Sequence, residues 1–294
     1  MKIVICPLVS RDMRRSIRCV NSIRFLKPGL RYKFETVVVI NSRNQEFITD
    51  FTSWCRKESV KHIVTPSEGT PSFGKNQVLE FFRNSDYDGL CMVDGDDLFY
   101  PSGALQIERH LLHHAGTDLL IVKPSDQVIT GTRDNFYPIN ENTSVSLWGD
   151  NLFTMRYQYG PGKHEIYENR HAASNLGGHV FYSQKLVKKI SYDNDQLLGE
   201  DLLFEFNALK LHQEGKISFW SSFASDVQLL DRTEQENIQS VKNGTDGDFY
   251  YERLISEINK FLDPSRSSFN EIPVEFPNMI FSFEEKFEFV KSVF

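Results

Sequence analysis

A chain of 294 residues that is 40% apolar and 25% charged has ample material for a hydrophobic core and is typical of an ordinary globular protein. Its formal net charge of −7 argues against a generally basic surface for nucleic acids or membranes. The chain has no apolar run of about 18 residues and no hydrophobic region typical of a signal peptide, so we expect a cytoplasmic protein without a transmembrane segment.

Apolar runs predict strands, and apolar residues at helical spacing predict helices. In chain order we predict strand 2–9, helix 12–26, strand 34–40, helix 45–58, strand 61–64, a loop over 65–74, a helix opened by Gly74, strand 90–93, helix 101–115, strand 118–122, an irregular segment over 123–174, a strand within 175–182, a helix capped by Ser183, helix 199–211, strand 216–220 and helix 248–262. This alternation favours an α/β fold with a mostly parallel sheet flanked by helices.

The predicted elements divide the chain into two parts. Residues 1–230 contain the repeated strand–helix units and are predicted to form the main domain. Residues 231–294 begin with a polar stretch and end in a Phe-rich tail, so we predict a C-terminal helical extension packed on that domain. The irregular segment over 123–174 is long for a compact domain, and such segments are usually functional or mobile.

The cysteines and histidines do not form a metal-binding pattern. No two cysteines have C-x-x-C spacing, and Cys6 and Cys91 fall in predicted strands, so we expect reduced thiols that pack as small hydrophobes. His110, His113 and His114 share one predicted helix without accompanying carboxylates or cysteines, which indicates a partly exposed helix face.

Three carboxylates follow the buried strand 90–93 directly. Asp94, Asp96 and Asp97 surround Gly95 at the carboxyl end of that strand, where open α/β sheets bind ligands. Two such charges 4 Å apart repel by up to about 4 kcal/mol at an effective dielectric constant near 20, and a bound divalent cation would relieve this repulsion. The alternative is an ordinary Asp-Gly turn that needs no metal.

Three further motifs accompany this turn, and each also has a structural explanation. Lys75 and Asn76 open a helix, where a lysine is commonly just solvated. Gly177 and Gly178 precede a strand and could form an ordinary turn. Glu200 and Asp201 lie in a first helical turn, where acids stabilise the helix dipole by around 0.3–1 kcal/mol without any catalytic role.

The order of these motifs resembles that of the GT-A glycosyltransferases, and the likeness is closest to the large inverting, nucleotide-sugar-dependent family with a D-x-D metal motif. The resemblance covers about residues 2–230. It implies a Rossmann-like α/β sheet and a Mn²⁺ or Mg²⁺ ion. It places Asp96 on the metal and Asp94 on the metal, its bound water or the ribose. The family often supplies a further His ligand after the strand that follows the Glu-Asp helix. Here Asp226 is the nearest acid to that place.

The same resemblance implies roles for the remaining motif residues. Asp201 would be the general base for an incoming hydroxyl, beside Glu200. The donor site would comprise residues that line the base, contact the nucleotide or approach the sugar: Pro7, Leu8, Val9, Asn41, Lys75, Asn76, Asn175, Gly177 and Gly178. Asn41 stands where the family usually has an Asp that recognises uracil, and an amide can both accept and donate.

The function implied is metal-dependent transfer of a hexose from a nucleotide sugar, with a UDP-sugar favoured, to a hydroxyl acceptor with inversion. Two alternatives stay open. One is a non-catalytic carbohydrate or nucleotide-sugar binding protein of the same fold, and the other is a sugar-nucleotide pyrophosphorylase. The acceptor is not readable from any motif.

Overall fold

The computed structural model describes residues 1–24, 30–99, 101–130, 136–138, 144–148, 152–156, 179–196, 199–231 and 274–275. Within these ranges the strands are β1 (Lys2–Val9), β2 (Lys33–Thr36), β3 (Val38–Ile40), β4 (His62–Val64), β5 (Gly89–Asp94), β6 (Leu119–Thr130), β7 (Phe136–Pro138), β8 (Ser144–Trp148), β9 (Leu152–Arg156), β10 (His179–Ser183), β11 (Phe219–Asp231) and β12 (Val274–Glu275). The helices are α1 (Met13–Arg24), α2 (Gln45–Lys57), α3 (Pro71–Arg83), α4 (Pro101–His113), α5 (Gln184–Val187) and α6 (Glu200–Gln213).

The main sheet has the strand order β12-β11-β6-β10-β5-β1-β3-β4, with β2 also paired to β1 and β7 to β6. Strand β10 runs antiparallel between β5 and β6, whereas β1 is parallel to both β3 and β5, and β6 is parallel to β11. Strands β8 and β9 form a separate antiparallel pair. The predicted α/β fold, a mostly parallel sheet flanked by helices, is confirmed.

Both faces of the sheet are buried, because alternate strand residues pack on helices of opposite sides. On one face Leu90 and Met92 of β5 pack with α3 and α6 through residues such as Val78 and Phe204. On the other face Cys91 and its neighbours pack on α1 and α4. The four cysteines are buried and none forms a disulfide, as expected for packing thiols.

Helix α3 begins three residues before the predicted start at Gly74. Thr70 caps it by accepting a hydrogen bond from the Phe73 backbone N–H at 3.4 Å, and Pro71 occupies the first turn, where its missing N–H costs nothing. The cap and proline therefore override the Pro/Ser/Gly-rich composition that predicted a loop. Lys75 consequently lies inside the helix rather than at its start.

The segment predicted to be irregular contains strands. Strand β6 continues to Thr130, in parallel register with a β11 that itself continues well past the predicted end at residue 220. Strands β7, β8 and β9 also fall within 123–174. The prediction of an irregular segment is therefore wrong for these residues. Pairing with a partner strand determines their conformation, and single-strand periodicity does not reveal such pairing.

Two smaller predictions also differ from the structure. The predicted strand 34–40 is divided into β2 and β3 at Val37, because β1 pairs first with β2 and then with β3. His110 is buried rather than partly exposed, and its Nε2 lies 2.9 Å from the Thr117 hydroxyl. The end of α4 packs on β11 through Trp220, whose ring lies 4.9 Å from that of His110.

The predicted C-terminal extension lies almost entirely outside the described residues, including its helix at 248–262. The part that is described includes Val274–Glu275, which pairs with β11 in parallel. In the described part of the chain, no helix has the length and apolarity needed to span a membrane.

Candidate functional site

The turn after β5 lies directly against the end of β1. Leu8 is in register with Asp94, and the Asp97 backbone N–H donates a hydrogen bond to the Asp94 carbonyl at 2.9 Å. A Cβ at Gly95 would lie 2.5 Å from the Leu8 carbonyl oxygen and 2.9 Å from the Val9 Cα, so the chain can pass this close only with glycine there. The structure thus places Pro7, Leu8 and Val9 beside the D-x-D turn.

The side chains of Asp94 and Asp96 are both exposed at this turn. Crowding by protein atoms, reinforced by the charge of Asp94, raises the pKa of Asp96, while Arg15 and Arg11 oppose the rise. Among the described residues, no group of three or more His, Cys, Asp or Glu could hold a metal. Mg²⁺ usually needs only one or two protein carboxylates when substrate phosphates supply further oxygens, and Asp94 with Asp96 fits that pattern.

The predicted third ligand, Asp226, belongs to β11. It falls at the register shift between Ala224 and Val227 in the pairing of β11 with β6. Its side chain is outside the described part of the structure, so its role as a ligand stays a prediction.

Lys75 is the charged centre of the site. Its side chain is 5% exposed, and its Nζ lies 2.5 Å from Asp201 Oδ2 and 3.3 Å from Glu200 Oε1. The Nζ also lies 5.5 Å from the centroid of the Tyr192 ring. Burial alone would lower the pKa of Lys75, but the charges of Asp201, Asp94 and Glu200 outweigh it and raise the pKa well above its ordinary value. Lys75 is therefore a buried ammonium shared by two carboxylates.

The two oxygens of Asp201 have different environments. Oδ2 accepts the hydrogen bond from Lys75, whereas Oδ1 is inaccessible to solvent and has no hydrogen-bond partner among the described residues, although 23% of the side chain is exposed. Desolvation raises the pKa of Asp201 to about 7. Lys75 opposes this rise, and Glu200 and Asp94 add to it. A buried oxygen without a partner is costly, and such groups in folded proteins often have a catalytic role.

A cavity connects the turn with the Lys75 cluster. Its volume is about 30 Å³, or about 410 Å³ when the open solvent at its mouth is counted. The residues that line it are Lys75, Met92, Val93, Asp94, Asp97, Leu98, His179, Tyr182, Tyr192 and Asp201. The structure thus brings together three predicted site residues from separate parts of the chain: Lys75, Asp94 and Asp201.

Three polar residues that line the cavity were missed by sequence reasoning. Tyr182 and Tyr192 are buried and their hydroxyls lie 3.0 Å apart, but nothing in the sequence distinguishes them from core aromatics. His179 directly follows the Gly177-Gly178 pair, which was a usable signal. Its burial lowers its pKa to about 3, so the ring is neutral, and it packs 4.3 Å from the ring of Phe99.

Two of the three asparagines predicted for the donor site hold loops in place. Asn41 is buried, and its Nδ2 donates hydrogen bonds to the Thr65 hydroxyl at 2.9 Å and to the Pro66 carbonyl. Asn76 bonds to the 192–194 segment through both ends of its amide. Their contact with a ligand stays a prediction. Asn175, Gly177 and Gly178 lie outside the described residues.

No protein-family model matches the chain, and no curated protein sequence matches it. Its structure is similar to solved structures of TarS from S. aureus. The TM-score is 0.48 at 15% identity for TarS 1–349 in complex with UDP-GlcNAc, covering 99% of this chain and 70% of that one. It is 0.46 at 18% identity for TarS 1–349 in complex with UDP, covering 79% and 60%. For a longer TarS chain it is 0.46 at 17% identity, and the match covers 78% of this chain but 35% of that one.

Proposed function

We propose that this chain is a glycosyltransferase that moves a hexose from a nucleotide sugar to a hydroxyl acceptor, with a UDP-sugar as the favoured donor. The observation that carries the proposal is the asymmetric environment of Asp201. One oxygen is held by buried Lys75, and the other has no partner among the described residues. A pKa near 7 suits a general base that works at neutral pH. Asp94, from the D-x-D turn, lines the same cavity.

In the proposed reaction, Asp201 accepts the proton of the acceptor hydroxyl while the oxygen of that hydroxyl bonds to the anomeric carbon. The bond from that carbon to the donor phosphate breaks, and its electron pair leaves with the nucleoside diphosphate. A single displacement of this kind inverts the anomeric carbon. Such a base contributes about 10²–10⁴ in rate.

Asp94 and Asp96 are the residues we assign to a Mn²⁺ or Mg²⁺ ion shared with the donor diphosphate. When bound, such an ion stabilises the charge of the leaving diphosphate as a Lewis acid. The support for this assignment is the pair of exposed carboxylates at a turn that lies against β1. Asp226 remains the proposed further ligand.

A thermal-shift screen tests the proposal. We expect a UDP-hexose with Mn²⁺ to raise the melting temperature, since a ligand at 100 times its dissociation constant adds about 2.7 kcal/mol to the native state. Asp96→Asn should lose the Mn²⁺-dependent part of this shift. Asp86→Asn, a matched change at a side chain that is 81% exposed and bonded to Lys2, should keep it.

The products then separate the candidate functions. Release of UDP from the stabilising donor supports a transferase, because water can replace the acceptor. Binding without release would indicate a nucleotide-sugar binding protein, and formation of pyrophosphate would indicate a pyrophosphorylase. If no nucleotide sugar shifts the melting temperature, with or without Mn²⁺, the proposed function is wrong.

A further inference from the structure

Three residues on one face of α3 hold the segment that leads to α6. The Ser72 hydroxyl donates a hydrogen bond to the Gln196 carbonyl at 2.7 Å, and Lys75 binds the acids at the start of α6. Asn76 donates to the Tyr192 carbonyl at 2.9 Å and accepts from the Tyr192 backbone N–H at 2.9 Å. We name Ser72, Lys75 and Asn76 the α3 clamp. Their spacing of i, i+3 and i+4 places them on the same face of the helix.

The α3 clamp determines where the Glu200-Asp201 pair lies. It holds residues 192–196 by hydrogen bonds to Tyr192, Asn194 and Gln196, and it holds the first turn of α6 through Lys75. Gly199, just before α6, has a φ of 70°, a left-handed conformation in which the chain can turn into the helix. The start of α6 is therefore held by α3 at several points, and Asp201 is held through Oδ2.

Lys75 is held by Glu200 and Asp201, and it is therefore not available to bind a phosphate. Its single positive charge is shared by Glu200 and Asp201, so no full charge is left over for a phosphate. The Lys75 side chain is only 5% exposed, so its ammonium could not follow a ligand without leaving both acids without this partner.

We propose that Lys75 is a positioning residue for Asp201 and does not bind the donor diphosphate. It holds Oδ2 and thereby fixes the orientation of the carboxyl group, and its positive charge favours the basic form of that group. This inference rests on the proposed function only for the reaction step. The contact between Lys75 and Asp201, and its effect on the protonation of Asp201, can be tested without any reaction.

The groups that face Asp201 come from several elements. Lys75 comes from α3, Asp94 from the end of β5, Glu200 from α6 itself, and the hydroxyls of Tyr182 and Tyr192 from β10 and the segment before α6. Replacing the positive charge of Lys75 leaves carboxylates and phenols around Asp201. The proton affinity of Asp201 must then rise.

The first experiment measures UDP release from a UDP-hexose with Mn²⁺ as a function of pH for the wild type, Lys75→Met and Lys75→Arg. For Lys75→Met we expect kcat at pH 7 to fall by roughly tenfold or more, the acidic limb of the profile to move up by about one pH unit or more, and the dissociation constant for UDP to stay within about threefold. Lys75→Arg keeps the charge and should keep the acidic limb near that of the wild type. A weaker affinity for UDP with an unmoved acidic limb would show that Lys75 binds nucleotide and would overturn the proposal.

A second experiment needs neither activity nor ligand, and it also covers the case in which Lys75→Met is too unstable to assay. Thermal unfolding of Lys75→Met, Asp201→Asn and the double variant forms a cycle. We expect the fall in melting temperature caused by Lys75→Met to shrink by about half or more in the Asp201→Asn background. Additive losses would overturn the proposal. If the cycle shows coupling and no donor turns over, the proposed function fails and the Lys75–Asp201 contact stands.

Discussion

At the scale of single residues, Asp201 shows which of two opposed effects controls a carboxyl group. Its place in the first turn of α6 favours the anion, because the helix dipole stabilises negative charge there by about 0.3–1 kcal/mol. Desolvation works in the other direction and raises the pKa to about 7, although Lys75 opposes it. Burial therefore outweighs the dipole. A carboxyl that would be a weak base in water becomes a suitable base near neutral pH.

Asp201→Asn tests the role of this group directly. The amide cannot take a proton from an acceptor, so we expect transfer or donor hydrolysis to fall by roughly 10²–10⁴ while binding of the donor persists. Rate and donor affinity are measured on the same preparations. Asp195→Asn, at an exposed residue in the preceding segment, is the matched control and should behave as the wild type. Unchanged turnover in Asp201→Asn would remove Asp201 from the mechanism.

The sequence predicted which residue types lie at the site but not how they pair. Asp94, Asp201 and Lys75 were all identified, and they meet around one cavity. The partners of Lys75 could not be predicted, because Glu200 and Asp201 are 125 and 126 residues away in the chain. The same reason applies to Asn41 and Asn76, whose amides bond to loops that sequence patterns do not place.

At the scale of elements, most strands and helices could be predicted, and the errors lie where neighbours determine conformation. Strand β1 and helix α2 follow from local patterns, and α2 begins directly after its N-cap residue, Asn44. The length of β6 depends on its pairing with β11, about a hundred residues later in the chain. Local sequence patterns do not identify β11 as the partner of β6, so they predicted an irregular segment over 123–174.

Asp118 links the ends of β6, β10 and β11 at the edge of the sheet opposite the D-x-D turn. It lies just before β6 and accepts hydrogen bonds from the Ser183 hydroxyl at 2.7 Å, the Lys185 ammonium at 2.9 Å and the Ser218 backbone N–H at 2.9 Å. Ser183 ends β10, and Ser218 directly precedes β11. The Asp118 side chain is 5% exposed, so water could not readily take its place as the hydrogen-bond acceptor.

We expect Asp118→Ala to lower the free energy of unfolding by about 2–4 kcal/mol, because three donors lose a buried acceptor. The melting temperature should fall by roughly 5–10 °C. Urea unfolding with Asp118→Asn as the milder variant measures the loss, since the amide oxygen still accepts. Donor binding should stay unchanged, as the site is at the other edge of the sheet. Stability equal to that of the wild type in Asp118→Ala would contradict this account of the junction.

At the scale of the whole molecule, the two edges of the sheet use charge differently. At the carboxyl edge Glu200 and Asp201 share one buried lysine and Asp94 lines the same cavity, so negative charge is left without a cationic partner of its own there. Near the amino ends of the strands, acidic side chains are paired with lysines. The Glu35 carboxylate lies 2.5 Å from Lys33 Nζ and 2.9 Å from Lys61 Nζ. Excess negative charge therefore lies at one edge of the sheet, and paired charges lie at the other.

The Glu35 network makes stability depend on pH in a defined window. Lys33, Lys61 and the Tyr87 hydroxyl lower the pKa of Glu35 from 4.5 to about 2. A carboxyl whose pKa is depressed by folding stabilises the native state fully above its unfolded pKa, and this stabilisation is lost as pH falls toward the folded value. We therefore expect the contribution of Glu35 to be present at pH 6 and to disappear between about pH 4.5 and about pH 2.

Glu35→Gln measures this contribution. Both lysines are about two-thirds exposed, so solvent screening reduces the effect to about 1 kcal/mol at pH 6. Urea unfolding at pH 6, 4 and 3 should show the variant less stable than the wild type at pH 6, with a difference that shrinks steadily as the pH falls to 3. Lys57→Gln, which changes a lysine at the end of α2 outside this network, should follow the pH dependence of the wild type. A difference between Glu35→Gln and the wild type that stays constant across this range would show that Glu35 acts through packing rather than through its charge.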